Sequence, residues 1–499
     1  MALNEDRSPV LVGVAQRVQK ELDPREAQAP LGLMESVARA AAEDARLDAG
    51  KLETLDRVIV PGVLGADYSN PARRLAEAIG ARAASPVSLG VGGNGPQRWL
   101  NRSARDLAAG RARFVLLAGA EALATRQRAR QAGIELDWSG GGEPSATEPE
   151  PPPSSAGELR HRLLTPPFIY PLYENALRAH HGRDLESHRR AVGALLAGFT
   201  ETAARNPHAW FRTRRSADEI TLAGPGNRMV AFPYTKFMNA IMRVDQAAAV
   251  LLTTVDHARS LGIPGDRMVH WLGGGDAVET PWSFSERADF HSSPAMARAY
   301  AGAFTEAGLQ AEDVHGFDLY SCFPSAVEMA CDTLGIGLDE PRPLSVTGGL
   351  PYAGGPGNDY GTHAVAQLVG WLRATPGAIG MATGIGWYFT KHSAGLYGTL
   401  PPMELPSAPV APAPPPPEAV ALAEHAEGPA RIETYTVVHD REGEPECGIV
   451  IGRLEDARRF LAFVEGGRDE LASLESSEGV GRTGRVRIDG DVHRLHLDG

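Results

Sequence analysis

Apolar runs and apolar stripes at helical spacing alternate through the first part of the chain. Val10 to Ala15 predicts a buried strand, and Leu31 to Leu47 sets Met34, Val37, Ala38, Ala41 and Ala45 along one helix face. Arg57 to Val63 predicts a second strand. Ser69-Asn70-Pro71 then opens a helix that Gly80 closes, a start and a stop signal in the right order. Pro86 to Val91 is apolar and strand-like, Gly92, Gly93 and Gly95 let the backbone turn sharply, and Pro96 suits a helix start, where its missing N–H is not needed. Leu100, Ala104, Leu107 and Ala108 carry that helix to a stop at Gly110. A helix that begins at the end of a central strand aims its N–H groups and positive dipole end at one spot, which suits an anion or a developing oxyanion. The same pattern also fits an ordinary strand–helix turn, and it supplies no thiol, since no Cys lies between Ser88 and Arg102. Arg113 to Ala118 predicts a further buried strand, so the unit reads as a parallel or mixed sheet covered on both faces.

From about Thr125 the alternation breaks. Gly140 to Ser155 is rich in proline and glutamate and reads as a surface loop. Asp184 to Arg205 predicts a long helix closed by Asn206-Pro207, and Thr235 to Val244 a loop or short helix. Thr125 to Val244 therefore reads as an insertion, after which Ala247 to Thr253 returns as a strand. The second half repeats the design, with Met268 to Leu272 and Phe317 to Tyr320 as strands and Pro294 to Gly308 and Ser325 to Leu334 as helices. Ser321-Cys322-Phe323-Pro324 is its abrupt turn. A glycine-rich loop from Gly348 to His363 opens a helix at Thr362 to Leu372; it lacks the Lys-Ser/Thr of a P-loop and the dinucleotide spacing. Ala378 to Ile385 and Ala394 to Tyr397 complete the strands. Leu400 to Pro417 is a proline-rich, extended linker. Beyond it Arg431 to Val438, Glu446 to Leu454, Arg458 to Val464, Gly484 to Ile488 and Val492 to Leu497 alternate as five short strands, with a helix at Asp469 to Ser476, an order that suits a small OB-like barrel. The boundaries that follow are 1–124 with 245–262 for the first half, 125–244 for the insertion, 263–400 for the second half, 401–428 for the linker and 429–499 for the barrel.

Composition narrows the class without naming a chemistry. The 499 residues are 43% hydrophobic, enough for a large core, and no window is long and apolar enough to cross a membrane. Met-Ala-Leu-Asn-Glu-Asp-Arg carries acids where a secretory leader carries bases, so a cytoplasmic location is expected. The three cysteines, Cys322, Cys331 and Cys447, are too few and scattered for a disulfide framework or a zinc ribbon; reduced thiols and no metal are expected. With 49 basic against 62 acidic residues the chain is net acidic, which argues against nucleic acid as a partner. The basic charge is concentrated in the insertion, where Arg183 to Arg215 holds seven arginines against three acids and Arg228 to Val244 adds Arg228, Lys236 and Arg243 with no acid. That concentration suits a phosphorylated ligand; a solvated charged face is the alternative.

Two similar α/β halves, an insertion in the first, and three glycine-bearing turns converging from both resemble the thiolase fold. The branch is similar to the sterol-carrier-protein-type thiolases and closest to the type 1 thiolase-like proteins often labelled acetyl-CoA acetyltransferase. The resemblance spans roughly Ser8 to Leu400. It is carried by Asp318-Leu-Tyr-Ser-Cys-Phe323, where that branch has a His-Asp-Cys-Phe block, by Gly354-Gly-Pro356 for Gly-His-Pro, by Gly384-Ile-Gly386 near the Cys-x-Gly turn, and by Asn206-Pro207 in the insertion. It implies a duplicated fold of two βαβαβαββ halves layered α/β/α/β/α, an additional small all-β C-terminal domain, and CoA or acyl-CoA as ligand with no covalently bound cofactor.

Thiolases take the acyl group on a cysteine thiolate, activate it with a histidine, use a second cysteine as acid and base, and hold the oxyanion. Here the nucleophile position falls on Asn94 or Gly95, the histidine on Gly355, and the second cysteine on Thr383 or Gly384, while Tyr320 replaces the group that helps hold the oxyanion. Ordinary thiolase activity is therefore expected to be weak or absent, and Cys322 and Cys331 to be packing residues. Polar groups remain on the converging turns: Tyr320, Ser321, Tyr352, Asn358, Tyr360, His363, Lys391 and His392. Tyr320, His363, Asn94 and Ser321 are the catalytic candidates, a tyrosine to hold a carbonyl or an enolate and a histidine to take a proton. His363 either faces the site or packs, Asn94 equally fits a helix cap, and Lys391-His392 also reads as a surface pair. For CoA the candidates are Arg214, Arg215, Lys236, Gly93, Gly95, Gly354, Gly355, Tyr352, Tyr360 and Gly384. Three functions stay open: an acyltransferase-type protein binding CoA or acyl-CoA, a retro-aldol-type lyase acting on a CoA thioester, and a non-catalytic CoA-binding scaffold. The barrel suits docking, over the CoA mouth or against a protein partner, and both monomer and homodimer fit.

Overall fold

The structure, a computed structural model, describes residues 5–140, 149–401 and 417–498. Residues 141–148 of the loop expected at Gly140 to Ser155, and 402–416 of the proline-rich linker, lie outside the described residues. Nine strands form one sheet: β1 (Pro9–Val18), β2 (Arg57–Val60), β3 (Ser85–Ser88), β4 (Phe114–Ala122), β5 (Asp245–Thr254), β6 (Val269–Val278), β7 (Gly316–Asp318), β8 (Ile379–Gly386) and β9 (Lys391–Gly398). Their order is β7-β8-β9-β6-β1-β5-β4-β2-β3. In each half the first strand lies antiparallel beside the last, and the others extend outwards, so β1-β5-β4-β2-β3 has its counterpart in β6-β9-β8-β7. The place of β3 is taken in the second half by Pro343 and Leu344, whose carbonyls accept from Phe317 and Leu319 at 2.7 and 3.0 Å. The halves join where Val10 and Leu11 pair with His270 and Val269.

The helices longer than two turns are α1 (Pro30–Asp44), α2 (Pro71–Ala78), α3 (Gly95–Ala108), α4 (Leu123–Gln131), α5 (Pro166–His180), α6 (Leu185–Arg205), α7 (Pro294–Ala307), α8 (Pro324–Leu334), α9 (Tyr360–Ala374) and α10 (Arg468–Ser476). α1 and α2 cover the outer face of the first half, α7 and α8 that of the second, and α3 and α9 fill the layer between. This is the α/β/α/β/α arrangement. β4 is buried at every position because helices press on both its faces, which is why it reads as a continuous apolar run instead of alternating. Leu100 and Leu107 of α3 meet Val365, Leu368 and Leu372 of α9 in the central core.

Several boundaries differ from the sequence reading. The strand expected to run to Val91 stops at Ser88, because the next residues leave the sheet to reach α3. The helix expected from Thr362 starts at Tyr360. Lys391 and His392 are buried strand residues, not a surface pair.

The C-terminal strands β10 (Gly428–His439), β11 (Pro445–Leu454), β12 (Arg459–Val464), β13 (Thr483–Asp489) and β14 (Val492–Leu497) close a barrel in the order β11-β12-β14-β13-β10, with β10 returning to β11. α10 lies between β12 and β13, as expected. A hairpin of the insertion, Met229–Ala231 with Tyr234–Thr235, extends this sheet: Ala231 pairs with Val438, and the Phe232 N–H donates to the Val437 carbonyl at 2.8 Å. The described end of the linker is pinned too. Val420 N–H donates to the Glu286 carbonyl and Ala423 N–H to the Arg459 carbonyl, each at 2.8 Å. Among the described residues no helix is long and apolar enough to cross a membrane.

Candidate functional site

Leu89 to Asn94 carry the chain from β3 into α3, and the second half grips this turn. The Gly92 N–H donates to Asn358 Oδ1 (2.8 Å), Asn358 Nδ2 donates to the Gly62 carbonyl (2.7 Å), and Lys391 Nζ donates to the Val91 carbonyl (2.9 Å). A cleft of about 280 Å3 opens here. Gly92, Asn94 and Gly95 lie at its base, Pro86 to Val91 form one wall, Arg98, Trp99 and Arg102 of α3 form the other, and Glu150 with Lys391 stands at the turn. Lys391 Nζ meets the two Glu150 oxygens at 2.7 and 2.8 Å, and Trp387 Nε1 donates to the same carboxylate at 3.2 Å. His392 places Nε2 2.8 Å from the Phe389 carbonyl, and burial pushes its pKa down to about 3. Asn94 stands at the N-cap of α3, but its side chain makes no capping bond; its Nδ2 reaches Ser393 Oγ at 3.4 Å.

Tyr320 stands on the other side of the turn. A Cβ on Gly93 would come within 2.0 Å of its hydroxyl, so only glycine admits the ring at that distance. Its ring meets Tyr360 edge-on at 5.5 Å, and its backbone N–H donates to Thr383 Oγ1 at 2.8 Å. Burial raises the Tyr320 pKa, which keeps the phenol neutral and able to donate. Gly384 lies against Asn94, whose Cα a Cβ there would approach to 2.8 Å. Asn94, Gly93, Gly95, Tyr320 and Gly384 are thus brought together at the converging turns.

Three candidates are directed elsewhere. Ser321 Oγ accepts from the Leu350 N–H at 3.2 Å and so holds the glycine-rich loop. The Tyr360 hydroxyl lies 2.7 Å from both Asp318 Oδ1 and Thr347 Oγ1, a buried structural role in place of the expected ligand contact. His363 faces β1: Nδ1 is 2.9 Å from Gln16 Oε1, and Nε2 is 3.7 Å from Asp359 Oδ2. Gln16 Nε2 donates to Gln367 Oε1 (3.0 Å), so Gln16 Oε1 accepts and the His363 proton is assigned to Nδ1. Burial holds the His363 pKa down to about 3. No contact joins it to Tyr320, so the acid–base pair expected from these two residues is not assembled.

The insertion cations gather beside the glycine-rich loop and are not among the residues lining the cleft. The Arg215 guanidinium lies 4.0 Å from the centre of the Phe237 ring and Lys236 Nζ 6.0 Å from it. Arg214 pairs with Glu201 at 3.2 Å. The Phe211 N–H donates to the Tyr352 carbonyl (2.9 Å) and the Ile241 N–H to the Leu350 carbonyl (3.2 Å), which seats the insertion on the loop and leaves Phe211 and Met242 exposed at its rim. Tyr352 is buried, and its hydroxyl has no partner among the described residues. Gly354 packs on Gln246 and Gly355 near Ile241 and Leu350.

No thiol reaches the turn. Cys322 is buried and its pKa is pushed up to about 12, and burial raises that of Cys331 in α8 as well. Two acids missed in the sequence lie close by: Glu121, which accepts from the Leu64 and Gly65 N–H groups at 2.6 and 2.8 Å and is raised by burial to about 7, and Asp359, raised by burial with no cation beside it. Elsewhere Glu174, His188 and Glu328 bring possible ligand atoms within 4.8 Å of one another. His188 Nε2 lies 2.7 Å from Glu174 Oε1, whereas its buried Nδ1 has no acceptor, so the neutral tautomer suits the group better than a metal-bound ring would. The Arg98-Trp99-Arg102 wall had a signal in the sequence: it is the face of α3 opposite Leu100, Ala104 and Leu107.

The sequence profile of the "thiolase-like protein type 1 additional C-terminal domain" family matches residues 409–491. No curated protein matches the chain. Among solved structures, a monomeric SCP2-thiolase like protein type 1 from Mycobacterium smegmatis is 33% identical over 99% of this chain and 99% of that chain, with a TM-score of 0.82. The Ltp2-ChsH2(DUF35) aldolase shares the fold at 18% identity, covering 79% of this chain and 98% of that chain with a TM-score of 0.61. An acetyl-CoA acetyltransferase from Syntrophomonas wolfei does so at 17%, covering 80% of this chain and 100% of that one with a TM-score of 0.56.

Proposed function

The chain belongs to the type 1 thiolase-like proteins, and from that premise we propose that it binds CoA thioesters without forming an acyl-enzyme. The observation that carries this reading is the chemistry left at the converging turns. Asn94 and Gly95, Gly355, and Thr383 and Gly384 offer neither a thiolate nor an imidazole, and the nearest thiol, Cys322, is buried with a pKa about 12. A thiol held neutral in that way is a poor nucleophile. The groups that remain bind and polarise: a neutral Tyr320 phenol and the Asn94 amide.

The nucleotide end fits the insertion. Arg214, Arg215 and Lys236 supply positive charge for phosphates, and Phe211, Phe237 and Met242 supply apolar and aromatic surface beside the buried Tyr352 hydroxyl. A retro-aldol lyase would need an acid–base pair, and Tyr320 and His363 stand in separate surroundings, so binding without a covalent step is the reading the geometry favours. Calorimetry with CoA and with 3′-dephospho-CoA, joined to intact-mass measurement after exposure to acetyl-CoA, tests it. CoA should bind about tenfold tighter than its dephospho form, Arg215→Ala should erase most of that difference, and the protein mass should not change. Heat from neither ligand, or a stable acyl adduct, refutes the reading.

A further inference from the structure

The cleft at the glycine turn has walls and a charge pattern that the nucleotide end of CoA does not use. We infer that it receives the acyl group of the bound thioester and favours an acyl chain ending in a carboxylate, held at Arg102. The inference rests on the CoA-thioester reading above.

Position gives the first step. The base of the cleft is Asn94 and Gly95, the place where the thiolase fold would attach the acyl group, at the positive end of α3. A thioester carbonyl held there directs its acyl carbons into the cleft. Pro86, Val87, Leu89, Val91 and Trp99 give that path apolar walls, and Val91 is 41% exposed. Covering such surface favours a hydrocarbon chain.

Charge gives the second. Lys391 and Glu150 answer each other at the turn, so the cation there is already matched. Two helical turns along α3 stands Arg102, whose guanidinium lies 4.5 Å from the centre of the Trp99 ring and has no carboxylate partner among the described residues. Gly95, Trp99 and Arg102 are spaced i, i+4, i+7 and share one helix face. A guanidinium resting on an aromatic ring is oriented in advance and takes a carboxylate by two parallel hydrogen bonds.

Length gives the third. Seven residues of helix advance about 10 Å from Gly95 to Arg102. At bond lengths near 1.5 Å that distance suits an extended chain of roughly six to eight carbons.

The test compares CoA, hexanoyl-CoA and adipoyl-CoA by calorimetry on the full chain, wild type and Arg102→Gln. Adipoyl-CoA should bind at least tenfold tighter than hexanoyl-CoA to the wild type, and Arg102→Gln should reduce that preference to less than threefold. Equal affinities for the two acyl-CoAs in the wild type overturn the inference while leaving the CoA reading standing, and so does a preference that survives in Arg102→Gln. Binding of none of the three overturns the CoA reading itself. Arg102 is exposed, so its replacement should leave the fold intact; circular dichroism checks this.

Discussion

Arg459 ties the barrel to the rest of the molecule, and replacing it should release the barrel. The side chain begins β12 and is fully buried. Nε and Nη2 donate to Glu433 Oε2 and Oε1 at 2.6 and 3.2 Å, Nη1 donates to the Ser285 and Arg287 carbonyls at 2.8 and 2.5 Å, and Nη2 also reaches the Ala288 carbonyl at 3.3 Å. Its cation lies 4.5 Å from the centre of the Phe290 ring. Arg459→Met keeps the apolar bulk and removes every one of these donors. The pair with Glu433 lies inside the barrel, and Glu433 keeps a hydrogen bond from Arg453 Nε at 2.8 Å, so its carboxylate is not stranded. What crosses to the rest of the chain are the bonds to the Ser285, Arg287 and Ala288 carbonyls, and hydrogen bonds from a charged group contribute about 1.5–3 kcal/mol each, so the low end for the two shorter ones is about 3 kcal/mol. About 3 kcal/mol shifts a docking equilibrium by roughly two powers of ten. The backbone of Arg459 also holds Ala421 and Ala423, so loosening here exposes residues 417–427. Limited proteolysis should cut the variant in that segment well before the wild type, and calorimetry should show an added low-temperature transition. Identical digestion and a single unchanged transition would refute the claim that this guanidinium is the clamp.

Two further outcomes follow from the turns and the acids beneath them. Gly93→Ala forces a methyl group into the Tyr320 hydroxyl and towards the Ile385 carbonyl, 2.8 Å from the new Cβ, and should lower stability by about 2 kcal/mol. Combined with Tyr320→Ala the loss should fall short of the sum of the single losses by about 1 kcal/mol; strict additivity in thermal unfolding would contradict the contact. Glu121, raised to about 7 from 4.5, keeps its proton in the fold at pH values where the unfolded chain has lost it. Its contribution therefore makes stability fall as pH rises from 4.5 to 7, by on the order of 3 kcal/mol, and level off above. Unfolding of the wild type and Glu121→Gln across that range should diverge accordingly, and parallel curves would count against it.

The layered core was legible because its signals are local. Asn70 caps α2 by accepting from the Arg73 N–H, Gly308 closes α7 in a left-handed conformation, and β13 and β14 of the barrel alternate as half-buried strands do. α5 went unread because Pro166, Pro167 and Pro171 look like breakers, although two of them sit at the helix start, where an N–H has no partner to lose. The site was harder. Helical spacing places His363 on a buried face but does not say which strand that face meets, and Gln16 of β1 is the answer from the far end of the chain. Lys391 looked like a surface charge because Glu150, its partner, lies in a proline-rich stretch with no local pattern to announce the pairing. That Asn94, Gly355 and Thr383 bring neither thiol nor imidazole to the converging turns, by contrast, is legible directly, since it depends on residue identity alone.

The pairing of Val438 with Ala231 means that the last strands complete a sheet begun more than two hundred residues earlier. During synthesis the hairpin that leads into Lys236 emerges from the ribosome long before the strand it rests on. That corner of the molecule can settle only after translation has nearly ended, and a shortened gene product would lose the neighbour on which the hairpin rests.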